Sequence, residues 1–527
     1  MYGQNGAGQE AGSDFSGGRK ERSLLVRRSL IFTFLLGFFA HGFMLTHISI
    51  SHDALFDFYD ALSAHQHQIE LGRVLEPLYR SLTDSGLLMP WSQGIIAFFW
   101  LGLAVFCVCD MFDLSCPTEI FLTAGIMTVN ISVTAVAAAY TPWLSADMFA
   151  LLLAVAGAYS WYLYGKDHSK KYLFSGMLSL ICSISIYQCY LSVTVVLVIL
   201  LSIQDVIQNK DSAKIFRDGM AGVGMIAAGG AAYYAFMKLA VRLSGTPLLE
   251  GDYDSLTNLW DNREPVVNRL VYCIKEEMSH FFTKDENIFP YQVLWTVNLL
   301  LLCICVCLAV RLVGQGRKRF GADKGKWALL FLLTAALPFA AYMMRLLNSA
   351  VHDLMVYSVW LLYLLPLLLQ KWTKEEVEGE KKPRGCIAVL LGFIVFSYIQ
   401  TDNAVYVKKE VESKATLSLM TQIMEQIDQA EGYVPGETPV TFVGQVSEIL
   451  QEVPGTEKVK GISGCNKTSA ITYPGTYQAY FDNVMLRDVS VIFDEGTAKK
   501  EEVLHMPVYP KPGYVKLVDG VAVVRLQ

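Results

Sequence analysis

Residues 29–50, SLIFTFLLGFFAHGFMLTHISI, contain no Lys, Arg, Asp or Glu over a length sufficient to cross a bilayer. Ten further apolar runs follow near 91–109, 118–139, 144–164, 172–187, 190–205, 218–242, 290–311, 327–344, 350–370 and 385–400. Backbone polar groups in lipid must be satisfied within each segment, so such runs are expected to be helices. The fold class expected is mainly α: a polytopic membrane helical bundle of about eleven transmembrane helices, with a small C-terminal α/β domain. Composition agrees, because only 17% of residues are charged where a soluble chain carries about 25%.

Residues 1–28 lack apolar periodicity and are expected to be disordered. Ala40-His41-Gly42 resembles a signal-peptidase site, but the apolar run continues past it, so the first span reads as uncleaved. Basic clusters stand at Lys166, Lys170 and Lys171; at Lys210, Lys214 and Arg217; from Arg311 to Lys326; and from Lys371 to Arg384. Eleven spans put all of them on the side of Arg27 and Arg28, which the positive-inside rule makes cytoplasmic. Residues 29–401 are then the membrane domain, with outer loops at 51–90 and 243–289 and an extracytoplasmic domain at 402–527. In that domain, 416–429 has helical periodicity, 439–446 and 489–496 read as strands, and 513–526 reads as a hairpin turning at Asp519-Gly520. It carries no catalytic motif, so a structural or partner-binding role is expected there.

Span centres are nearly free of ionisable groups, which instead gather at the outer ends. Asp53, Asp57 and Asp60 follow span 1, Asp147 enters span 4, Lys238 and Arg242 end span 7, and Arg345, His352 and Asp353 lie between spans 9 and 10. Tyr187 and Gln188 join them. A pump or pore keeps charges near the midplane, so this arrangement favours an enzyme acting on a lipid-linked substrate. A flippase for lipid-linked glycans and a non-catalytic envelope assembly protein are the alternatives. If helical, SHDALFDFYD (51–60) puts its three acids on one face. Most of the 11 cysteines lie in apolar runs with no CxxC spacing and read as small apolar filler. His65, His67 and Glu70 form a weak metal-ligand pattern. No cofactor is expected, with a divalent cation such as Mg or Mn the alternative, and no nucleic-acid partner.

SHDALFDFYD with QIELGRVLEPLY (68–79), YTPWLSADMFALLLAV (140–155), SISIYQCYLS (183–192), RLLNSAVHDLMVYS (345–358) and DNAVYVKKE (402–410) together resemble the GtrII family of bacterial glucosyltransferases, in the polytopic GT-C class. The resemblance implies transfer of a sugar from a polyprenyl-phosphate donor to an envelope polysaccharide such as an O-antigen or teichoic acid, outside the plasma membrane. Membrane lipids, the lipid-sugar synthase and the flippase of the same route are the implied partners. Relatives often carry two adjacent acids in the first loop. This chain has His52-Asp53, so only Asp53 carries over. Direct displacement with inversion needs a base and a group that neutralises the leaving phosphate. Asp53 is the candidate base, and Asp57 and Asp60 are possible auxiliary acids or solvated positions. Arg73 and Arg345 are the candidate phosphate ligands, because a guanidinium grips phosphate bidentately. Either could instead be an interfacial anchor. His352, Asp147, Tyr187 and Gln188 complete the expected substrate-binding set, with Arg263, Arg269 and Lys275 as weaker alternatives.

Overall fold

The computed structural model describes residues 7–48, 50–57, 61–83, 89–249, 264–282, 291–321, 323–348, 350–373, 385–457, 459 and 461–527. The chain begins with α1 (Ala7–Thr46), so helix starts inside the segment whose composition reads as irregular. Adding turns to an existing helix is far cheaper than nucleating one, and the apolar half of α1 supplies the nucleus. Two short helices, α2 (Ala61–Glu70) and α3 (Glu76–Thr83), precede α4 (Pro90–Met111). Then come α5 (Pro117–Thr128), α6 (Ile131–Ala139), α7 (Leu144–Asp167), α8 (Lys170–Ile186), α9 (Leu191–Ile207) and α10 (Ser212–Ser244). Helices Val266–Phe282, Tyr291–Phe320, Lys324–Ala341 and Gly385–Asp428 complete the long elements.

Among the described residues, eight helices are long and apolar enough to cross a membrane, or nine when the α5–α6 pair, bent by 44°, counts as one. Two of the eleven expected spans fall short of that measure. The 172–187 run is α8, only 17 residues long. The 350–370 run is broken into short helical turns, Asp353–Met355, Tyr357–Trp360, Leu361–Leu364 and Leu365–Thr373. Both nevertheless run from one end of the bundle to the other. Ser183 in the last turn of α8 donates to the Ala150 carbonyl near the start of α7, so the two helices lie antiparallel. Asp353 accepts from the Ser463 amide at 2.9 Å at the C-terminal-domain end, whereas Lys371 Nζ lies 3.1 Å from Asp113 Oδ2 at the opposite end.

That opposite end collects the basic clusters. Arg22 pairs with Asp110 at 2.8 Å, His168 lies 3.7 Å from Asp218, and Lys326 donates to Asn209. Small residues let the helices approach closely, as lipid-embedded packing requires. A Cβ on Gly94 of α4 would stand 1.9 Å from Leu45 of α1, and one on Gly176 of α8 would stand 2.4 Å from Met225 of α10.

Helix Gly385–Asp428 has 44 residues. At about 1.5 Å per residue it spans roughly 66 Å, twice a bilayer core. Its last turns, with Met420, Ile423 and Ile427, enter the core of the C-terminal domain, so the helix runs unbroken through residue 402. The domain's sheet has the order β1-β3-β2, from β1 (Val440–Val443), β2 (Val515–Val518) and β3 (Val521–Arg525). β1 runs parallel to β3, and β2–β3 is the antiparallel hairpin expected from Asp519-Gly520. Both turn residues have positive φ, 48° and 80°, as the tight primed hairpin turn demands. The strand expected at 489–496 is reduced to one bridge, Val440 to Val491.

Candidate active site

The polypeptide leaves α1 at Thr46 and does not continue as a helix. The Ser51 hydroxyl donates to the Ala139 carbonyl and accepts from the Ala54 amide at 3.1 Å, starting a single 3-10 turn, Ala54–Asp57. Among the described residues the segment is therefore not one continuous helix: Asp53 precedes this turn and Asp57 closes it. Asp60, with the side chains of Asp57 and His65, lies outside the described residues. Leu55 is fully buried in the core of the C-terminal domain, and Asn483 Nδ2 donates to its carbonyl at 2.6 Å. The loop carrying Asp53 is thus clamped between the bundle and that domain.

His52 Nε2 lies 3.2 Å from Asp53 Oδ2, and each side chain keeps 30% of its surface exposed. Burial lowers the His52 pKa; Asp53 opposes the shift, while Lys409 and Lys467 push it further down. A neutral imidazole can donate one N–H to the carboxylate and aim it while leaving it basic. Tyr473 of the C-terminal domain stands close enough to Asp53 that burial and this charge push its phenol up to about 12. Phe56 and Tyr473 stack with centroids 6.1 Å apart and planes 19° apart.

A second group forms where α2 and α3 fold back on the bundle. Gly72, at φ 75°, turns the backbone so that Leu75 N donates to Ser185 O at 2.9 Å. That fixes Arg73 over the Tyr187 ring at 4.8 Å, with Nη1 donating to Gln68 Oε1 at 3.1 Å. Asp147, in the first turn of α7, lies within electrostatic reach of Arg73. Gln188 donates to Leu71 O at 2.9 Å and to the Tyr233 hydroxyl at 3.3 Å. Four expected substrate-binding residues, Arg73, Asp147, Tyr187 and Gln188, are therefore neighbours.

Helix α3 buries Glu76 and Arg80, 3.7 Å apart, while Leu78 and Leu82 face outward. Arg80 lies 5.8 Å over the Trp143 ring. Sequence reasoning missed this pair, although its i,i+4 spacing within EPLYR was the available signal. Buried charge is costly unless paired, so a pair kept here is a candidate functional feature.

Arg345 forms no hydrogen bond or ion pair with a residue of either group. Its Nη1 lies 3.0 Å from Glu264 and its Nε 3.1 Å from Glu276, and its guanidinium covers Tyr272 at 5.1 Å. Two of the three guanidinium nitrogens are thereby engaged by carboxylates that sequence reasoning had not linked to it. Among the weaker alternatives, Arg269 donates from Nε to Glu264 O at 2.9 Å, and Arg263 lies outside the described residues. His352 leads into the Asp353 turn, whose side chain accepts from the Ser463 amide and hydroxyl, tying the membrane domain to the C-terminal one. Asp53 forms no hydrogen bond or ion pair with Arg73, Asp147, Arg345 or His352. Among the described residues no three His, Cys, Asp or Glu side chains cluster as metal ligands; His67 and Glu70 pair at 3.3 Å.

A family model, Glucosyl transferase GtrII, matches residues 42–365, more than half of the chain. The chain belongs to the GtrII glucosyl transferase family. Membership carries a glycosyltransferase role with a sugar donor and an acceptor, in a protein whose long apolar helices are those of a membrane protein. The GtrII match takes in His52, Asp53, the Arg73 group and Arg345, and stops before helix Gly385–Asp428 and the C-terminal domain. No curated protein and no solved structure matches the chain.

Proposed function

We propose that this GtrII member moves glucose from a polyprenyl-phosphate donor to a cell-envelope polysaccharide at the outer face of the bacterial plasma membrane. The observation that carries the reading is that Arg73, Asp147, Tyr187 and Gln188 are neighbours at one end of an apolar bundle, opposite the basic clusters, with the turn that follows Asp53 packed at that same end. The Lys/Arg asymmetry supports eleven crossings with a cytoplasmic N-terminus, because both segments that fail the length test still run the full depth of the bundle. Asp53 takes the proton of an acceptor hydroxyl as that oxygen bonds to glucose C1. The C1–O bond to phosphate breaks with its electron pair, and the configuration at C1 inverts. Neutral His52 aims the Asp53 carboxylate. Arg73, held flat on Tyr187, neutralises the departing phosphate. Arg345, already gripped by Glu264 and Glu276, holds helix Val266–Phe282 against the bundle in this reading.

The test uses the purified full-length protein in proteoliposomes, with polyprenyl-phosphate [14C]glucose and an envelope polysaccharide. Label is expected to enter the polysaccharide, and none is expected from UDP-glucose alone. Movement of intact lipid-linked glucose between leaflets without transfer would instead make the protein a flippase.

A further inference from the structure

The C-terminal domain lies beyond the family match, yet it closes over Asp53. Leu55 and Asn483 lock the two together, and the part-exposed, mutually stacked rings of Phe56 and Tyr473 form an aromatic shelf within electrostatic reach of the Asp53 carboxylate. Tyr473 keeps 41% of its surface exposed and Phe56 keeps 40%. Lys467 is exposed, lies within electrostatic reach of His52, the neighbour of Asp53, and makes no ion pair among the described residues. Lys409 also faces His52 but is buried, 3.7 Å from Glu412.

We infer that the shelf made by Phe56 and Tyr473, with Lys467 beside it, is the acceptor subsite, and that it binds a hexose unit of an acidic polysaccharide. The assignment rests on the proposed transfer reaction and adds the acceptor's chemistry to it. The C–H face of a sugar ring carries partial positive charge and stacks on the negative face of an aromatic ring. Its hydroxyls then point sideways, where Asp53 can accept from one of them. Lys467, with no carboxylate partner among the described residues, supplies the countercharge for a phosphate or carboxylate on the polymer. The shelf belongs half to the membrane domain and half to the C-terminal domain. Reading of the acceptor therefore depends on their docking through Asp353 and Ser463, bonded at 2.9 Å.

Full-length protein in nanodiscs is titrated with the acidic and with the neutral polysaccharide fraction of one bacterial envelope, and transfer kinetics are measured in parallel. Wild type is expected to bind the acidic fraction more tightly. Tyr473→Ala should weaken that binding and raise acceptor KM by roughly tenfold, the worth of an aromatic stack, with donor KM unchanged. Tyr473→Phe should behave as wild type, and Lys467→Gln should erase the preference for the acidic fraction. Equal binding of the two fractions by wild type, or a Tyr473→Ala effect on donor KM alone, would overturn the assignment. Absence of transfer with binding and its Tyr473 dependence intact would overturn the proposed reaction and leave this subsite standing.

Discussion

Asp53→Asn is expected to lower glucosyl transfer by roughly 10²–10⁴-fold, the usual cost of losing a general base, with donor and acceptor binding preserved. Asparagine keeps the size and most of the hydrogen bonding but has no basic oxygen. Folding should survive, because the loop is held by the Ser51 hydroxyl, by buried Leu55 and by the Asn483 bond to the Leu55 carbonyl, none of which involves the Asp53 side chain. Single-turnover transfer, read beside the thermal midpoint, checks this. Asp57→Asn and Asp60→Asn should keep substantial activity. A dead Asp57→Asn beside an active Asp53→Asn would move the base to the far side of the 3-10 turn, and full activity in all three would remove the loop from the chemistry.

Arg73→Lys is expected to raise donor KM by roughly ten- to a hundredfold, although the charge is retained. A charge-assisted hydrogen bond is worth about 1.5–3 kcal/mol, and an ammonium can neither present the planar fork nor stack on Tyr187 at the 4.8 Å observed for the guanidinium. Asp147→Asn should act through the same group, so its effect and that of Arg73→Lys should combine non-additively. Acceptor KM should stay put in both. An unchanged donor KM in Arg73→Lys would make this arginine a clamp on the α2–α3 turn and nothing more.

Much of this architecture is legible in the sequence because it is local. Apolar run length marks the helices, Asp519-Gly520 marks the hairpin, and Lys/Arg clusters mark the end of the bundle where Lys326 meets Asn209 and Lys371 meets Asp113. Asp147, Tyr187 and Gln188 could be placed near one another because each stands where an apolar run ends on the same side, whereas Arg73 joins them only because the loop between the first two runs folds back. What escaped is long-range. Nothing in SHDALFDFYD says that Leu55 buries itself among residues from the far end of the chain. Nothing near Arg345 reveals that Glu264 and Glu276 close on it. The buried Glu76–Arg80 pair escaped because an i,i+4 charge pair on an amphipathic helix ordinarily faces water, whereas α3 turns its charges inward and its leucines out.

The central claim is that a lipid-linked glucose presents its phosphate to Arg73 and its anomeric carbon to Asp53. The most direct measurement is an electron cryo-microscopy map of the full-length protein in nanodiscs with a non-transferable C-phosphonate analogue of polyprenyl-phosphate glucose. The account predicts phosphonate density within hydrogen-bond reach of the Arg73 guanidinium, roughly 2.7–3.2 Å, with glucose C1 facing Asp53 and the lipid tail along the bundle. Phosphonate density at Arg345, or at the end of the bundle where Arg22 meets Asp110, would contradict it.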